Sequence, residues 1–361
     1  MIAPRDSAAS ATPPLVPALA AMTSLQALVA VALFAPGVLA PKLGIAEREI
    51  SAFTTAVFAV GAATSVFGGL LASRLGPFAV AALCAVAVGV AMALSTLATL
   101  PALIAAGLVL GLAFGPETPA SSTLLATLAT PQQRPLIFSV RQTGNQIGAM
   151  LGSLSLPLIA VSSPTAGFGL IVLLAMAALI AYLSLRPTYD PIAMGKGERL
   201  DVRGALTLIA REPPLIRLAI ASMPFSAMQM ALNAFFVTHA VQNLKLPHLA
   251  AGALLAVAQS GGLIGRLVWG GVASALGSAA RVLIGLGLAM SAFAALLALA
   301  SSDWPLTAIG AVAFLLGLTA SGWNGVFLAE VARLAPEGRV AEATGAVLMA
   351  SYTGLLVGPA I

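Results

Sequence analysis

Eleven apolar stretches, each long enough to cross a lipid bilayer, follow one another along this chain with little between them. A spanning helix needs about 20 mainly apolar residues. The stretches fall at 16–40, 50–73, 77–98, 101–129, 136–160, 165–185, 215–241, 249–276, 280–300, 304–333 and 340–361. None alternates with the two-residue period of an outer-membrane barrel, so they read as helices. Hydrophobic residues make up 60% of the chain and charged ones only 8%, with mean hydropathy +1.03. A soluble domain carries about 25% charged residues to cover its core. The expected fold class is an all-α polytopic membrane protein, with the lipid bilayer as its main partner.

The net charge of +5 would suggest nucleic acid in a soluble protein. Here the basic residues sit in short loops, where they report orientation instead, and no nucleic-acid partner is expected. With a cytoplasmic N-terminus, the inner tail and loops hold Arg5, Arg74, Arg134, Arg281, Arg333 and Arg339. The long connection adds Arg186, Lys196, Arg199, Arg203 and Arg211. The outer loops hold only Lys42, Arg48 and Lys245. Residues 1–15 read as a cytoplasmic tail, because the apolar run after them is too long for a signal-peptide core. The single cysteine, Cys84, excludes an internal disulfide. The expected location is the plasma membrane, the inner membrane in a bacterium.

One long polar connection, "RPTYDPIAMGKGERLDVRGALTLIAREPP", divides the chain. Residues 16–186 form a six-segment bundle, 187–214 a cytoplasmic linker with a short surface helix near 200–210, and 215–361 a five-segment bundle. Internal repeats relate the two halves. "GLLASRLG" (69–76) after segment 2 matches "GGVASALG" (270–277) after segment 8. "LGL" at 110–112 recurs at 316–318, and "TPQQR" (130–134) matches "APEGR" (335–339).

These features resemble the major facilitator superfamily over essentially the whole chain. That family has two pseudo-symmetric six-helix bundles, a long cytoplasmic linker and a G-x-L-A-D-R-x-G signature between helices 2 and 3. The resemblance implies a conformational-switch role for Gly69, Ser73, Arg74 and Gly76, and for Gly270, Ser274 and Gly277 in the second copy. Ser73 stands where the family has Asp, and Ser274 repeats the departure, so the inner latch is expected to be weaker or built differently. The family has twelve helices and this sequence stops at the eleventh, so the last helix of the second bundle is expected to be missing by truncation.

Ionisable groups inside a membrane are costly and mark solute or ion paths. "GLAFGPETPASS" (111–122) sets Glu117 between Pro116 and Pro119 in the fourth segment. Counted from opposite boundaries, Glu117 lies roughly 22 Å from the outer face and Arg141 about 8 Å from the inner one, so both fall at nearly one depth. They are expected to pair. The prolines remove amide donors and kink the helix, freeing carbonyls that are tolerated against protein or a wet cavity. A static pair tying helices 4 and 5 together is the competing reading.

In "SVRQTGNQIGAMLG", Gly144, Gly148 and Gly152 form a small-residue packing stripe. Arg141 and Asn145 share another face, with Gln142 and Gln146 beside it. The helix-5 Gly-Pro pair of the family's drug–proton antiporters is absent, which argues against drug export. Further polar and aromatic residues at mid-depth give the expected cavity: Gln26, Gln142, Asn145, Gln229, Asn233, Phe236, Gln259, Trp323, Asn324 and Tyr352. The family's cavity-lining and flanking helices hold these residues, while segments 3, 6 and 9 are nearly featureless. Arg266 reads as a snorkelling residue near the inner end of segment 8, directed towards Glu330. His239 and His248 lack partners at metal-ligand spacing, so neither a metal nor any cofactor is expected.

No nucleophile elbow, zinc-protease motif or P-loop is present, so enzyme chemistry is not expected. A repeated fold around one off-axis charge pair fits alternating access better than a channel filter. The expected function is secondary active transport of a small organic solute, an anion or carboxylate coupled to protons. Arg141 would recognise the anion and Glu117 would carry the proton. Export of amphipathic or cationic compounds is the alternative within that class, and a non-transporting membrane receptor the alternative outside it.

Overall fold

A computed structural model describes residues 13–160, 163, 165–194, 207 and 210–357. They form helices and connecting turns, with no strand among them. In lipid every backbone amide and carbonyl must find a partner within the chain, and helices achieve this locally. The first half holds α1 (Leu15–Leu43), α2 (Glu47–Leu75), α3 (Pro77–Ser95), α4 (Leu100–Leu128), α5 (Arg134–Ile159) and α6 (Ala166–Ala193). The second holds α7 (Pro213–Gln242), α8 (His248–Leu276), α9 (Ala279–Ala298), α10 (Leu306–Ala320), α11 (Asn324–Leu334) and α12 (Val340–Val357). The surface helix expected near 200–210 falls almost wholly outside the described residues.

Two elements depart from the simple hydropathy reading. The apolar stretch 304–333 is two helices, α10 and α11, interrupted at Ser321–Trp323. The other departure is α5. Among the described residues ten spans, with α10–α11 counted as one, are long and apolar enough to cross a membrane, and α5 is not one of them. Its buried residues include Arg141, Gln142 and Thr143, so its polarity is turned into the protein. Large apolar side chains such as Leu154, Leu158, Ile180 and Leu288 are exposed on the outside of the bundle. That pattern suits a lipid-facing surface.

Helix pairing follows the internal repeat. In the first half α1 packs on α5, α2 on α4 and α3 on α4; in the second α7 packs on α12, α8 on α10 and α9 on α10. Glycines make the closest approaches. A Cβ at Gly144 or Gly148 would run into the backbone of α1 at Thr23 or Ala27, and one at Gly261 or Gly265 into α10. The α5 stripe is thus a packing face.

The halves touch most closely at the end of the bundle that holds Arg74, Arg134, Arg281, Arg333 and Arg339, called here the basic end. There Gly69 of α2 lies against the backbone of Ala341, and Ser65 Oγ donates to the Gly345 carbonyl at 3.0 Å. Ser139 of α5 is wedged against both Gly270 of α8 and Gly325 of α11. In place of an aspartate, Ser73 donates to its own helix at Leu70 O, 3.0 Å away, and Ser274 Oγ is buried without a partner. Arg74 makes a contact at this end. Gly76 has φ +94°, and a Cβ there would collide with Asp190, whose carboxylate accepts from Phe78 N at 2.7 Å and Ala79 N at 3.2 Å. Gly277 is a left-handed helix cap, φ +60°.

Candidate functional site

A cavity of about 300 Å³ lies between the halves, displaced from the basic end. That volume suits a small solute. Its walls come from Gln26–Phe34 of α1, Thr54 and Phe58 of α2, Ser226–Asn233 of α7 and Leu348–Leu355 of α12. These lie in the parts of the helices remote from the basic end. Phe34 and Asn233 are exposed at the wall, so the cavity reaches the surface on that side.

At the bottom stands the expected pair. Arg141 Nη2 donates to Glu117 Oε2, and Arg141 Nη1 donates to Thr118 Oγ1 at 3.1 Å. Thr118 in turn donates to Glu117 Oε1 at 3.0 Å, closing a three-residue ring. Glu117 is 3% exposed and Arg141 1%. Glu117 and Thr118 line the cavity, whereas Arg141 is behind them and does not. The helix α4 continues through Pro116 and Pro119, and Thr64 of α2 donates to the Gly111 carbonyl at 3.1 Å.

Of the other expected residues, Gln26, Gln142, Asn145, Gln229, Asn233, Asn324 and Tyr352 line the cavity. Gln26 donates to Gln142 Oε1. A relay crosses between the halves: Gln146 Nε2 donates to Gln259 Oε1 at 3.1 Å, and Gln259 Nε2 to Asn233 Oδ1 at 2.6 Å. Gln229 Oε1 accepts from both Trp323 Nε1 at 3.2 Å and Asn324 Nδ2 at 3.1 Å. Gln259 and Trp323 therefore act one bond behind the wall, and Trp323 stacks on Phe225 with ring centres 5.1 Å apart. Phe236 is buried in the core, away from the cavity. Tyr352 packs on Phe114, centres 5.1 Å apart.

Arg266 is the residue that sequence reasoning misplaced. Counted along a straight helix it sits near the basic end, but its guanidinium is 1% exposed and lines the cavity. Nη1 donates to the Gln142 carbonyl at 2.7 Å. Glu330 is held instead by Arg333, at 2.6 and 2.9 Å. Sequence reasoning also passed over Thr118 and Ser351, whose hydroxyl lies 2.6 Å from that of Ser226. Among the described residues no group of three or more His, Cys, Asp or Glu could hold a metal.

Two bundles paired by a six-helix repeat around a central polar cavity define the class as a membrane transporter. The sequence profile of the Major Facilitator Superfamily matches residues 18–359, and the chain belongs to that family. Among solved structures, it is similar to the E. coli fucose:proton symporter FucP, with TM-score 0.71, 16% identity, and coverage of 95% of this chain and 90% of that one. It is also similar to a bacterial homologue of the iron transporter ferroportin in an outward-facing state, with TM-score 0.73, 15% identity and 95% and 90% coverage. At such identity these likenesses establish the fold. Comparison with curated protein sequences gives no match.

Proposed function

We propose that this transporter is a secondary active carrier that moves a small organic anion, a carboxylate in the simplest case, together with protons by alternating access. The observation that supports it is the Glu117 carboxylate, buried at the cavity wall with Arg141 and Thr118 on its two oxygens. A charged carboxylate buried this deeply is strongly unfavourable unless a cation pairs with it. An anion entering the cavity beside Glu117 disfavours its charged form, so Glu117 takes up a proton, and solute and proton travel together. Gln26, Gln142, Asn145, Gln229 and Asn233 offer neutral hydrogen bonds, and Tyr352 an apolar wall.

The basic loops support a cytoplasmic N-terminus and basic end, with the chain in the inner membrane of a bacterium. On that orientation the cavity opens outward, ready to load from outside. Proton coupling is compatible with this fold, since one structural neighbour is a fucose:proton symporter. Export of a cation is disfavoured by the charge at the cavity, two buried arginines against one glutamate.

In proteoliposomes, Glu117→Gln should lose uptake driven by an imposed proton gradient while keeping solute exchange. Full gradient-driven uptake in that variant would remove the coupling role.

A further inference from the structure

Arg266 is a buried cation with no counter-ion among the described residues. None of the ion pairs among the described residues includes it. Its Nε has no partner, its Nη1 is spent on a neutral carbonyl, and the charged group that acts on it is another arginine, Arg141. A guanidinium stays protonated in any protein setting, and a buried, unpaired charge is strongly unfavourable. Such an arrangement is stable in a membrane protein when something brings the missing negative charge. Arg141 is already neutralised by Glu117 and hidden from the cavity, whereas Arg266 faces it.

The wall nearby is rich in donors. Helix α11 begins at the cavity with Asn324, and no side chain caps its first turn. The opening amides of a helix have no partner within it and carry partial positive charge. Gln229 spends its oxygen on Trp323 and Asn324, which leaves its amide nitrogen as a donor.

We propose that Arg266 is the anion anchor of this cavity: a monoanionic group of the solute, such as a carboxylate, docks on its free guanidinium edge while Arg141 stays with Glu117. The inference rests on the anion-carrier reading above and adds a division of labour to it. Arg266, from the second half, takes the solute's charge. Glu117, from the first, handles the proton. Anchoring on a residue that already bonds the Gln142 carbonyl of α5 also lets the solute bridge the two halves.

The test is solute-dependent thermal stabilisation of the purified full-length protein with acetate, pyruvate and 4-bromobenzoate, beside their amides and tetramethylammonium. A ligand of the folded state raises its apparent stability. Wild type should respond to at least one carboxylate and not to its amide. Arg266→Gln should weaken that response about 10- to 100-fold in apparent affinity, and Arg266→Lys should weaken it less, since it keeps the charge but loses the planar fork. Arg141→Gln should leave more of the response than Arg266→Gln does. Undiminished carboxylate affinity in Arg266→Gln would overturn the anchor while leaving the anion-carrier reading standing. A wild type stabilised by tetramethylammonium or by no carboxylate would overturn both. Should the Arg266 variants fail to fold, the wild type with 4-bromobenzoate decides, because the bromine locates the bound molecule by anomalous diffraction. A carboxylate on Arg266 supports the anchor, and one elsewhere in the cavity refutes it.

Discussion

The repeat sets α4 opposite α10–α11, and the two have diverged where they meet the cavity. With Leu110–Leu112 aligned on Leu316–Leu318, Glu117 falls opposite Trp323 and Thr118 opposite Asn324. The first half keeps a continuous helix through two prolines and carries a charge. Its counterpart breaks the helix at the same level and carries an indole and an amide. A side chain of the neighbouring helix bonds this backbone in each half: Thr64 donates to Gly111 O one turn before the prolines, and the Trp269 indole donates to Leu318 O at 3.0 Å beside the break. The arginines come from flanking helices, Arg141 from α5 and Arg266 from α8. A duplicated scaffold thus holds an asymmetric site, with paired charge on one side and unpaired charge on the other.

The asymmetry is most open to test at the paired charge. Arg141→Gln leaves Glu117 buried without its cation and should cost about 3–5 kcal/mol of stability, with the double variant Glu117→Gln/Arg141→Gln recovering most of it. Thermal unfolding of the three proteins checks this, and a single variant no worse than the double would show that the two residues do not act as a unit. On the other side, Trp269→Phe keeps the ring but strands the Leu318 carbonyl at the break, for a loss of about 1–3 kcal/mol. An unchanged melting temperature would mean that the break needs no support from α8. At the far end of α11 the Glu330–Arg333 pair joins a buried carboxylate to a mostly exposed arginine, and Arg333→Gln, whose amide still offers Glu330 a donor, should cost about 1 kcal/mol. A larger loss there would make this pair part of the closure.

Much of this was legible in the residues. The spans follow from apolar length, and the Glu117–Arg141 pair follows from counting both to one depth along adjacent helices. Depth counting failed for Arg266 because it fixes the Cα and not the head of a long side chain, which reaches from its level on α8 to the Gln142 carbonyl. The interruption at Ser321–Trp323 was hidden for a related reason. Ser, Gly and Trp are all compatible with an apolar helix, and the break depends on a tertiary partner, the Trp269 indole, 49 positions away from the carbonyl it serves. Phe236 shows the opposite error. One turn beyond Asn233 along α7, it points into the core.

Under the proposed mechanism Glu117 carries a proton with each solute. Proteoliposomes holding a trapped pH dye, with no gradient imposed, read this directly when a stabilising carboxylate is added outside. Wild type should acidify the lumen as solute enters, beyond the change in protein-free liposomes, and Glu117→Gln should admit solute with no acidification beyond that background. Equal acidification by both proteins would overturn this role, since the proton would then travel without Glu117, the one carboxylate among the described residues that lines the cavity.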